Sequence, residues 1–467
     1  MWAGKAGGNL GRTSRHVNNN SICMELEGRS RFYTRPLACF TKQMRNTLLT
    51  ASLAILALLG SGCGATCDRI EKDRKKYLER VAVNEDTHIE VTIPFATADD
   101  LISRQVSKMK SMDIDVPGMG NLGSYFGKLS IKPRKVKLRA ARENHVGLRL
   151  KFDVRESGKK VFSMSVDTEI KPKIDLEKGI VVIGFGPKDL KSVKPRMSKG
   201  AKKDLGGLIY KKIPKAARMF VPRKLVDKAA GSVVSFLVSS FYKTFKDKLL
   251  PKMGDLSRLE FQLPDVPARK LTIRSFGEGG GGLRLLIVTD LPVRKGIVPD
   301  DEKPTLLPDG LIGVRTSGST LAQTANWAMA KGLVPDRYDN KGKPKKDGEL
   351  RPGLDWVPGK RPMKIYLWDL DKPCMRVDMG ANAKVSVNGD KVEIKATGAK
   401  VENVDASAFT KAGVWFYALW KDAIKMSKKA SSEMKFKVAG QKMVSKVVMA
   451  ELADDELTVG LSLVAEK

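Results

Sequence analysis

The stretch PRKLVDKAAGSVVSFLVSSFYKTFKDKLL, residues 222–250, is the longest one-sided helical pattern in the chain. Proline begins it, where a helix has no use for a backbone N–H, and Pro251 follows its end. Apolar residues recur three or four positions apart and predict one broad apolar stripe: Val226, Ala230, Val234, Leu237, Phe241, Phe245 and Leu249. Such a helix would be roughly 40 Å long. It therefore needs an equally long apolar surface to cover it.

Strand-like sequence on both sides of this helix could supply that surface. A strand, THIEVTIPF, and a short helix capped at Thr97 come first. Apolar and basic residues then alternate, which predicts antiparallel strands with one face in water, in KLSIKPRKVKLRA, HVGLRLKFDVRE, KVFSMSVDTEIKPKIDLE and GIVVIGFGP. After the helix, LEFQLPDVPARKLTIRS and GLRLLIVTDLP read as two closing strands.

The order of elements begins again after Pro308. A strand, DGLIGVRT, leads to a short helix capped by Ser317 or Ser319, and several strands with glycine-containing turns follow. A second long helix is predicted from Ala406 to Ala430, and two final strands end the chain. Because every step recurs in the same sequence, we predict a duplicated α+β fold with domains at 87–298 and 299–467.

Composition favours anionic partners. The chain has 467 residues, 42% of them apolar, and a net charge of +33, which suits lipid head groups, polyanionic polysaccharide or nucleic acid. Residues 187–224 are the most basic part, with 13 Lys or Arg and two Asp. Large apolar residues such as Met219 and Phe220 stand among these cations, a mixture that suits the boundary of an anionic membrane. The alternative is a solvated loop whose apolar residues lie under the long helix. The cations assigned to head-group or membrane contact are Lys202, Lys203, Lys211, Lys212, Lys215 and Arg218.

The N-terminal region indicates export. Residues 1–43 show no hydrophobic period and are interpreted as disordered or as an upstream extension. Residues 44–62 have the parts of a signal peptide, with Arg45 before an apolar run and small residues at its end. The ending LLGSGC resembles the lipobox of bacterial lipoproteins, although Gly60 stands where an aliphatic residue is usual. The resemblance implies lipidation of Cys63 and an outer-membrane lipoprotein, more on the periplasmic face than on the cell surface. Simple secretion with cleavage nearby is the alternative.

If Cys63 is acylated, Cys67 and Cys374 are the only thiols left in an oxidising compartment. A disulfide between them is one expectation, and two separate thiols are the other. Residues 63–86 are rich in charge and are predicted to form a tether with one or two helical turns.

Catalytic motifs are missing from the sequence. There is no GxSxG, HExxH or CxxC spacing, and only His88 and His145 lie in sequence predicted to fold. We therefore expect no enzyme, no metal site and no cofactor. Nucleic-acid binding is disfavoured by export and by the small number of aromatic residues in the basic segment.

The order of elements resembles the tubular lipid-binding (TULIP) superfamily, in the two-domain form of bactericidal/permeability-increasing protein. The resemblance is carried by IEVTIPFATADDLI, GIVVIGF, the helix at 222–250 followed by FQLPDVP, LIGVRTSGSTLAQTANWAMAKGLVPDR and the helix at 406–430. It implies two tandem domains, each a curved antiparallel sheet wrapped around one long helix. The basic insertion at 187–224 has no counterpart in it.

The resemblance also implies a function, the binding or transfer of lipid acyl chains of the phospholipid or lipid A class, in apolar slots between helix and sheet. The implied slot walls are Val226, Val234, Leu237, Phe241 and Phe245 in the first half, and Phe416, Leu419, Ala423 and Met426 in the second. An anionic membrane surface would be a second partner, and a protein partner stays open. The alternative function is a structural or interaction lipoprotein of the cell envelope, with a closed core and no ligand.

Overall fold

The structure is a computed structural model, and its described residues begin at Cys67. They are 67–80, 85–113, 129–184, 194–197, 200–226, 228, 239, 242–243, 245–249, 251, 259–277, 280–299, 306–339, 343–370, 374–389, 391–406, 425–426, 435–438 and 441–466.

The α-helices named here are α1 (67–78), α2 (Phe95–Ser107), α3 (Ala201–Lys212), α4 (Lys215–Arg218) and α5 (Gly318–Ala330). Within the helix predicted at 222–250, the described residues 223–226, 228, 239 and 242–243 are α-helical, and so is residue 251 just beyond it. Phe245–Leu249 is a π-helical turn and Pro308–Gly310 a 3₁₀ turn. The strands of the first half are β1 (Ile89–Pro94), β2 (Met112–Asp113), β3 (Leu129–Arg139), β4 (Val146–Glu156), β5 (Lys159–Ile170), β6 (Lys173–Asp175), β7 (Ile180–Ile183), β8 (Lys194–Met197), β9 (Leu259–Gln262), β10 (Ala268–Phe276) and β11 (Gly282–Thr289). Those of the second half are β12 (Ile312–Ser317), β13 (Leu350–Trp356), β14 (Met363–Asp369), β15 (Met375–Asn388), β16 (Lys391–Ala406), β17 (Lys425–Met426), β18 (Lys435–Val438), β19 (Gln441–Ala453) and β20 (Glu456–Ala465).

One sheet contains strands from both halves of the chain. Its order is β10-β11-β1-β12-β20-β19-β18-β9-β7-β6, so four strands of the second half stand between two groups from the first. The halves meet where β1 pairs with β12 and where β9 pairs with β18, and both pairings are antiparallel. We call this ten-stranded sheet the shared sheet. The two predicted domains are therefore joined by backbone hydrogen bonds as well as by the linker.

Each half also has a sheet of its own. The N-terminal sheet has the order β2-β3-β4-β5-β8, and the C-terminal sheet the order β13-β14-β15-β16-β17. In the N-terminal sheet alternate residues of β3, β4 and β5 are buried, and these join the shared sheet in one apolar core. In the C-terminal sheet the buried face of β13, β14 and β15 forms a second core against α5. The apolar residues that alternate with basic ones in the sequence therefore form the buried face of each sheet, and the basic residues form the solvent-exposed face.

The fold is broadly α+β and mostly β, with antiparallel sheets and few helices among the described residues. Of the two candidate caps for α5, Ser317 is the one used: its side chain accepts a hydrogen bond from the N–H of Thr320. The predicted cap at Thr97 was wrong. β1 runs directly into α2 at Phe95, whose N–H donates to Gly281, and the Thr97 hydroxyl instead donates to the carbonyl of Gly310 at 2.6 Å.

The predicted helix from Ala406 to Ala430 was wrong at both described places. Ala406 ends β16, opposite Met375, and Lys425–Met426 is a strand paired with Lys395 and Ile394. The helical spacing of apolar residues in this region also suits other structures, and backbone pairing to β16 decides the conformation at 425–426. Residues 407–424 and 427–434 lie outside the described part of the chain.

Candidate functional site

From Ala201 onward the basic segment forms two helices, α3 and α4, joined by a turn, and we call them the α3–α4 hairpin. α3 places Leu205 in the core and packs Leu208 and Ile209 against it, so this helix is docked on the body of the protein. The chain then turns at Pro214 into the short helix α4 and reaches Met219 and Phe220. Those two side chains are 82% and 83% exposed, and Leu225, just beyond Pro222, is 59% exposed. We call Met219, Phe220 and Leu225 the apolar tip.

Arginine side chains hold this hairpin in shape. Arg218 donates from Nε to the carbonyl of Ile213 at 2.8 Å and from Nη2 to the carbonyl of Lys211 at 2.6 Å. The guanidinium carbons of Arg218 and Arg223 lie 5.8 Å and 5.2 Å from the centre of the Tyr210 ring. Cation–π contacts of this kind contribute about 0.5–1 kcal/mol each at exposed sites. The apolar tip thus follows a braced turn, and its three side chains are exposed.

The predicted cationic contacts lie on the same hairpin. Lys203, Lys211 and Lys215 are exposed, and Arg218 is half-buried. Lys212 is exposed as well, but its ammonium pairs with Glu156 at 2.9 Å and so fixes α3 to β4. The side chain of Lys202 lies outside the described part of the chain. Cations therefore stand on both sides of the apolar tip.

The first predicted slot is described at its two ends. Val226 is buried, and so is Phe245, whose ring meets that of Phe152 on β4 edge-on, with centroids 5.7 Å apart. This contact places the π-helical turn Phe245–Leu249 on the apolar face of the N-terminal sheet, as a core contact. Three further predicted wall residues lie outside the described residues: Val234, Leu237 and Phe241.

Of the four residues predicted to line the second slot, the structure describes one, Met426. Phe416, Leu419 and Ala423 lie outside the described residues. Met426 lies in β17, opposite Ile394, so its assignment to the wall of a long helix was wrong. Met426 is in a strand because its backbone pairs with that of Ile394 on β16, and this pairing excludes a helix there.

Of the three cysteines singled out in the sequence, the structure describes Cys67 and Cys374. Cys63 lies outside the described residues. Cys67 and Cys374 are joined in a disulfide, with Cα atoms 5.1 Å apart and 307 positions between them in sequence. The bond ties the first residue of α1 to the start of the strand region around β15.

Packing of α1 against the C-terminal sheet was not predicted from the sequence. Ile70 and Tyr77 are buried there against Trp368, although residues 63–86 were predicted to be a tether. The Tyr77 hydroxyl donates to the carbonyl of Leu354 and accepts from Asn326 Nδ2 at 3.0 Å. Burial raises the pKa of the Tyr77 phenol well above its ordinary value, and the nearby carboxylate of Asp355 adds to the rise. The signal was the spacing of seven between Ile70 and Tyr77, which puts both on one helix face.

The two histidines have structural surroundings. His88 is buried, and its Nδ1 lies 2.7 Å from the hydroxyl of Thr289 and accepts from the N–H of the same residue at 3.0 Å. Burial lowers the pKa of His88, which keeps the ring neutral. His145 Nδ1 lies 3.0 Å from the carbonyl of Glu143. His88 and Thr289 are both fully buried, so their contact belongs to the interior of the protein.

The described residues contain neither a metal-binding cluster nor a membrane-spanning helix. No group of three or more His, Cys, Asp or Glu is arranged there to hold a metal ion. Within the same ranges, none of the helices combines the length and the apolar character that crossing a membrane requires.

Comparison with known proteins gave distant structural likenesses alone. No family model and no curated protein sequence matches the chain. The P47 protein of Clostridium botulinum A2 is 9% identical, with a TM-score of 0.41, over 83% of this chain and 99% of that one. P47 of Clostridium botulinum E1 is 8% identical, with a TM-score of 0.40, over 80% and 98%. A lipopolysaccharide binding protein is 12% identical, with a TM-score of 0.26, over 82% and 100%. We draw no functional conclusion from likenesses at this level.

Proposed function

We propose that this chain is an envelope lipoprotein that binds or transfers lipid acyl chains, of the phospholipid or lipid A class, and meets the anionic membrane surface through the α3–α4 hairpin. It would have a tubular lipid-binding arrangement, with acyl chains in the first half between the helix predicted at 222–250 and its sheet, and Cys63 as its lipidated N-terminus on the periplasmic face of the outer membrane. The observation that carries the proposal is the exposed apolar tip, Met219, Phe220 and Leu225, set among Lys and Arg side chains.

Water-exposed Met and Phe side chains among cations suit a membrane interface on energetic grounds. Moving a side chain of this size from water into hydrocarbon gains about 1.5–3 kcal/mol. Each Lys or Arg close to an anionic surface adds about 1 kcal/mol. Together the apolar and electrostatic terms would bind the hairpin more tightly to an anionic bilayer than to a neutral one.

The experiment is flotation of the purified chain with vesicles of phosphatidylcholine, with or without phosphatidylglycerol. The double variant Met219→Ser/Phe220→Ser should reduce binding to the anionic vesicles by about tenfold or more, because the apolar gain is lost. Val298→Ser is the matched control, since Val298 is 77% exposed but lies far along the chain from the hairpin. Equal binding by the double variant and the wild type would overturn the role of the tip.

Lipid cargo needs a separate measurement. Protein extracted in mild detergent should carry phospholipid or lipid A that mass spectrometry detects, and it should move labelled lipid between vesicles. An acyl chain gains about 0.8 kcal/mol per CH₂ when it leaves water, so a dry slot would hold its ligand through purification. Repeated absence of both bound lipid and transfer would refute this half of the proposal.

The second candidate function, a structural or interaction lipoprotein with a closed core, has one observation in its favour. The Phe245 ring is wholly buried and meets Phe152 edge-on, so the slot is filled by protein at that point. Cross-linking that captures a stable protein partner, together with blank lipid assays, would favour this function.

A further inference from the structure

On the solvent-exposed face of the N-terminal sheet, three cations and one serine form a row across four strands. Lys135 on β3 stands opposite Lys151 on β4, Lys151 opposite Ser165 on β5, and Ser165 opposite Arg196 on β8. Both lysines and Arg196 are exposed. The lysine aliphatic stems and the serine hydroxyl therefore share one face of the sheet, opposite the face that forms the core. We call these four residues the basic row.

A pocket of about 590 Å³ opens over the middle of this row. Its lining includes Lys135, Lys151 and Ser165 of the row, and the other lining residues are Arg134, Arg149, Phe152, Asp153, Ser163 and Met164. Four cations and two hydroxyls thus stand around one space with a single carboxylate, Asp153, which is itself paired with Arg134 and Lys160. The surplus of hydrogen-bond donors suits a ligand that accepts hydrogen bonds.

Two carboxylates, Asp153 and Asp167, pair with other cations in and around this pocket. Arg134 pairs with Asp153 at 3.3 Å, and Arg149 donates to Asp167 at 2.7 Å from Nη2. Lys160 also approaches Asp153, at 3.3 Å, and Arg196 approaches Asp167, at 3.3 Å.

The two lysines in the middle have a different environment. Lys135 and Lys151 form no ion pair within the described part of the chain. They stand directly opposite each other on neighbouring strands, where like charges destabilise a sheet. The pKa of the Lys151 ammonium is lowered, first by partial burial and then by repulsion from neighbouring cations, of which Lys137 is the largest contributor. A bound anion would relieve this repulsion.

We propose that the basic row is a binding site for a ligand that carries two or more phosphoryl groups. A single phosphate can bridge Lys135 and Lys151. The row continues to Arg196, three inter-strand spacings or roughly 14 Å from its first residue. A second phosphoryl group on the same ligand would lie farther along the row, where the Ser165 hydroxyl and the long side chain of Arg196 can donate to it. Phosphate oxygens form strong charge-assisted hydrogen bonds with both Lys and Arg.

The site is independent of the proposed function, because it lies on another element than the apolar tip and needs no apolar slot. The phosphoryl groups could belong to a soluble polyphosphate or to the head group of a lipid. Both sources present the same chemistry to the row, and the experiment separates them.

The test is calorimetric titration of the full chain at low salt with sodium tripolyphosphate, and with inorganic phosphate as the single-phosphoryl comparison. A second arm measures flotation with phosphatidylcholine vesicles, with and without diphosphorylated lipid A. The test variant is Lys135→Gln/Lys151→Gln. The control is Lys442→Gln/Lys446→Gln, which removes the same charge from two exposed lysines on β19 of the shared sheet.

Tripolyphosphate should bind the wild type more tightly than phosphate does, and the test variant should bind it about tenfold more weakly or worse. The affinity of the control variant should stay within about twofold of that of the wild type, since its two lysines contribute only to the overall positive charge of the protein.

Without ligand, the test variant should melt no lower than the wild type, because a repulsion has been removed. A loss of binding would then not reflect misfolding. Loss of binding in the tripolyphosphate arm alone assigns a soluble ligand, and loss in the vesicle arm alone assigns a lipid head group. No binding in either arm, or an equal loss in the control, would overturn the proposal.

Discussion

Glu90 is a carboxylate in the middle of the shared sheet, and two arginines from neighbouring strands surround it. Arg284 on β11 donates to its Oε1 at 2.7 Å and Arg315 on β12 to its Oε2 at 2.9 Å. The side chains of Glu90 and Arg284 are 3% and 2% exposed, whereas Arg315 also reaches the half-exposed Glu456 at 2.7 Å. A buried charge of this kind is tolerated only while its partners stay in place.

Replacing Glu90 with Gln should lower the free energy of unfolding by about 3–5 kcal/mol, because a buried guanidinium loses its countercharge. Glu456→Gln is the matched control, since it removes a carboxylate from the same Arg315 at a side chain that is 31% exposed. It should cost about 1 kcal/mol or less. Urea denaturation of the two variants measures the difference, and equal losses would show that Glu90 is not held as a buried charge.

Sequence alone placed β1 correctly as a strand but gave Glu90 no role. In IEVTIP it occupies a position that alternation assigns to water. All six residues of β1 are buried, because the strand lies inside a ten-stranded sheet. Its arginine partners stand 194 and 225 positions away. Local periodicity carries no information about such distant strand neighbours.

At the scale of elements, α1 is a docked helix that the disulfide fastens to the C-terminal sheet. Besides Ile70 and Tyr77, which are buried, Arg80 pairs with Asp355 at 2.9 Å. The Asp355 carboxylate also receives Arg294 at 2.7 Å, so the helix and the segment after β11 share one buried charge. The helix thus belongs to the folded body. The many charged residues of 63–86 hid this, because only two buried side chains, seven positions apart, mark the buried face of α1.

Loss of the disulfide should weaken this element and the whole protein. The variant Cys67→Ser/Cys374→Ser should unfold with a free energy about 2–4 kcal/mol lower, because a closed loop spanning 307 positions no longer restricts the unfolded chain. Amide exchange in residues 67–78 should also become faster. Reductant is the control: it should destabilise the wild type by a similar amount and leave the double variant unchanged. A double variant as stable as the oxidised wild type would contradict the prediction.

The long hairpin of β15 and β16 shows where turn signals mislead. The glycine-containing turns predicted between the strands after α5 fall in part at Gly380 and Gly398, which end the segments CMRVDMG and KVEIKATG. Both glycines lie within strands, and the pairing shifts register between Gly380 and Asn382. A side chain at Gly380 would meet the Glu402 carboxylate 2.2 Å away, and Gly398 has a φ of +59°. Glycine serves close approach and irregular backbone here as readily as it serves turns. The existence of strands was predictable, but their lengths were not.

At the scale of the whole molecule, the shared sheet decides how the two halves behave. The sequence predicted a repeated order of elements with a boundary near residue 299, and it contained no signal for pairing between the halves. β12 pairs with β1 and β18 pairs with β9, so each half completes the sheet of the other. Separated halves would expose unpaired edges on the inner strands of a sheet, which favours aggregation. We therefore expect the described part of the chain to unfold as one cooperative unit.

Cooperativity of this kind predicts a single heat-unfolding transition, with a calorimetric enthalpy close to the van't Hoff enthalpy. Two independent domains would give a calorimetric enthalpy about twice the van't Hoff value, because each would melt alone. Scanning calorimetry of the oxidised chain at a neutral pH measures the ratio. Two resolved transitions would show that the pairings of β1 with β12 and of β9 with β18 contribute little to stability.

Cleavage between the halves tests the same point without heating. A protease site placed between Pro299 and Leu306 separates the halves covalently except for the disulfide, which reductant then opens. We expect the two pieces to stay together on size-exclusion chromatography after cleavage and reduction, because backbone hydrogen bonds at two places in the shared sheet join them. They should separate only in denaturant. Cleavage of the Cys67→Ser/Cys374→Ser variant is the control for incomplete reduction, and dissociation of its pieces in plain buffer would mean that the halves are independent domains.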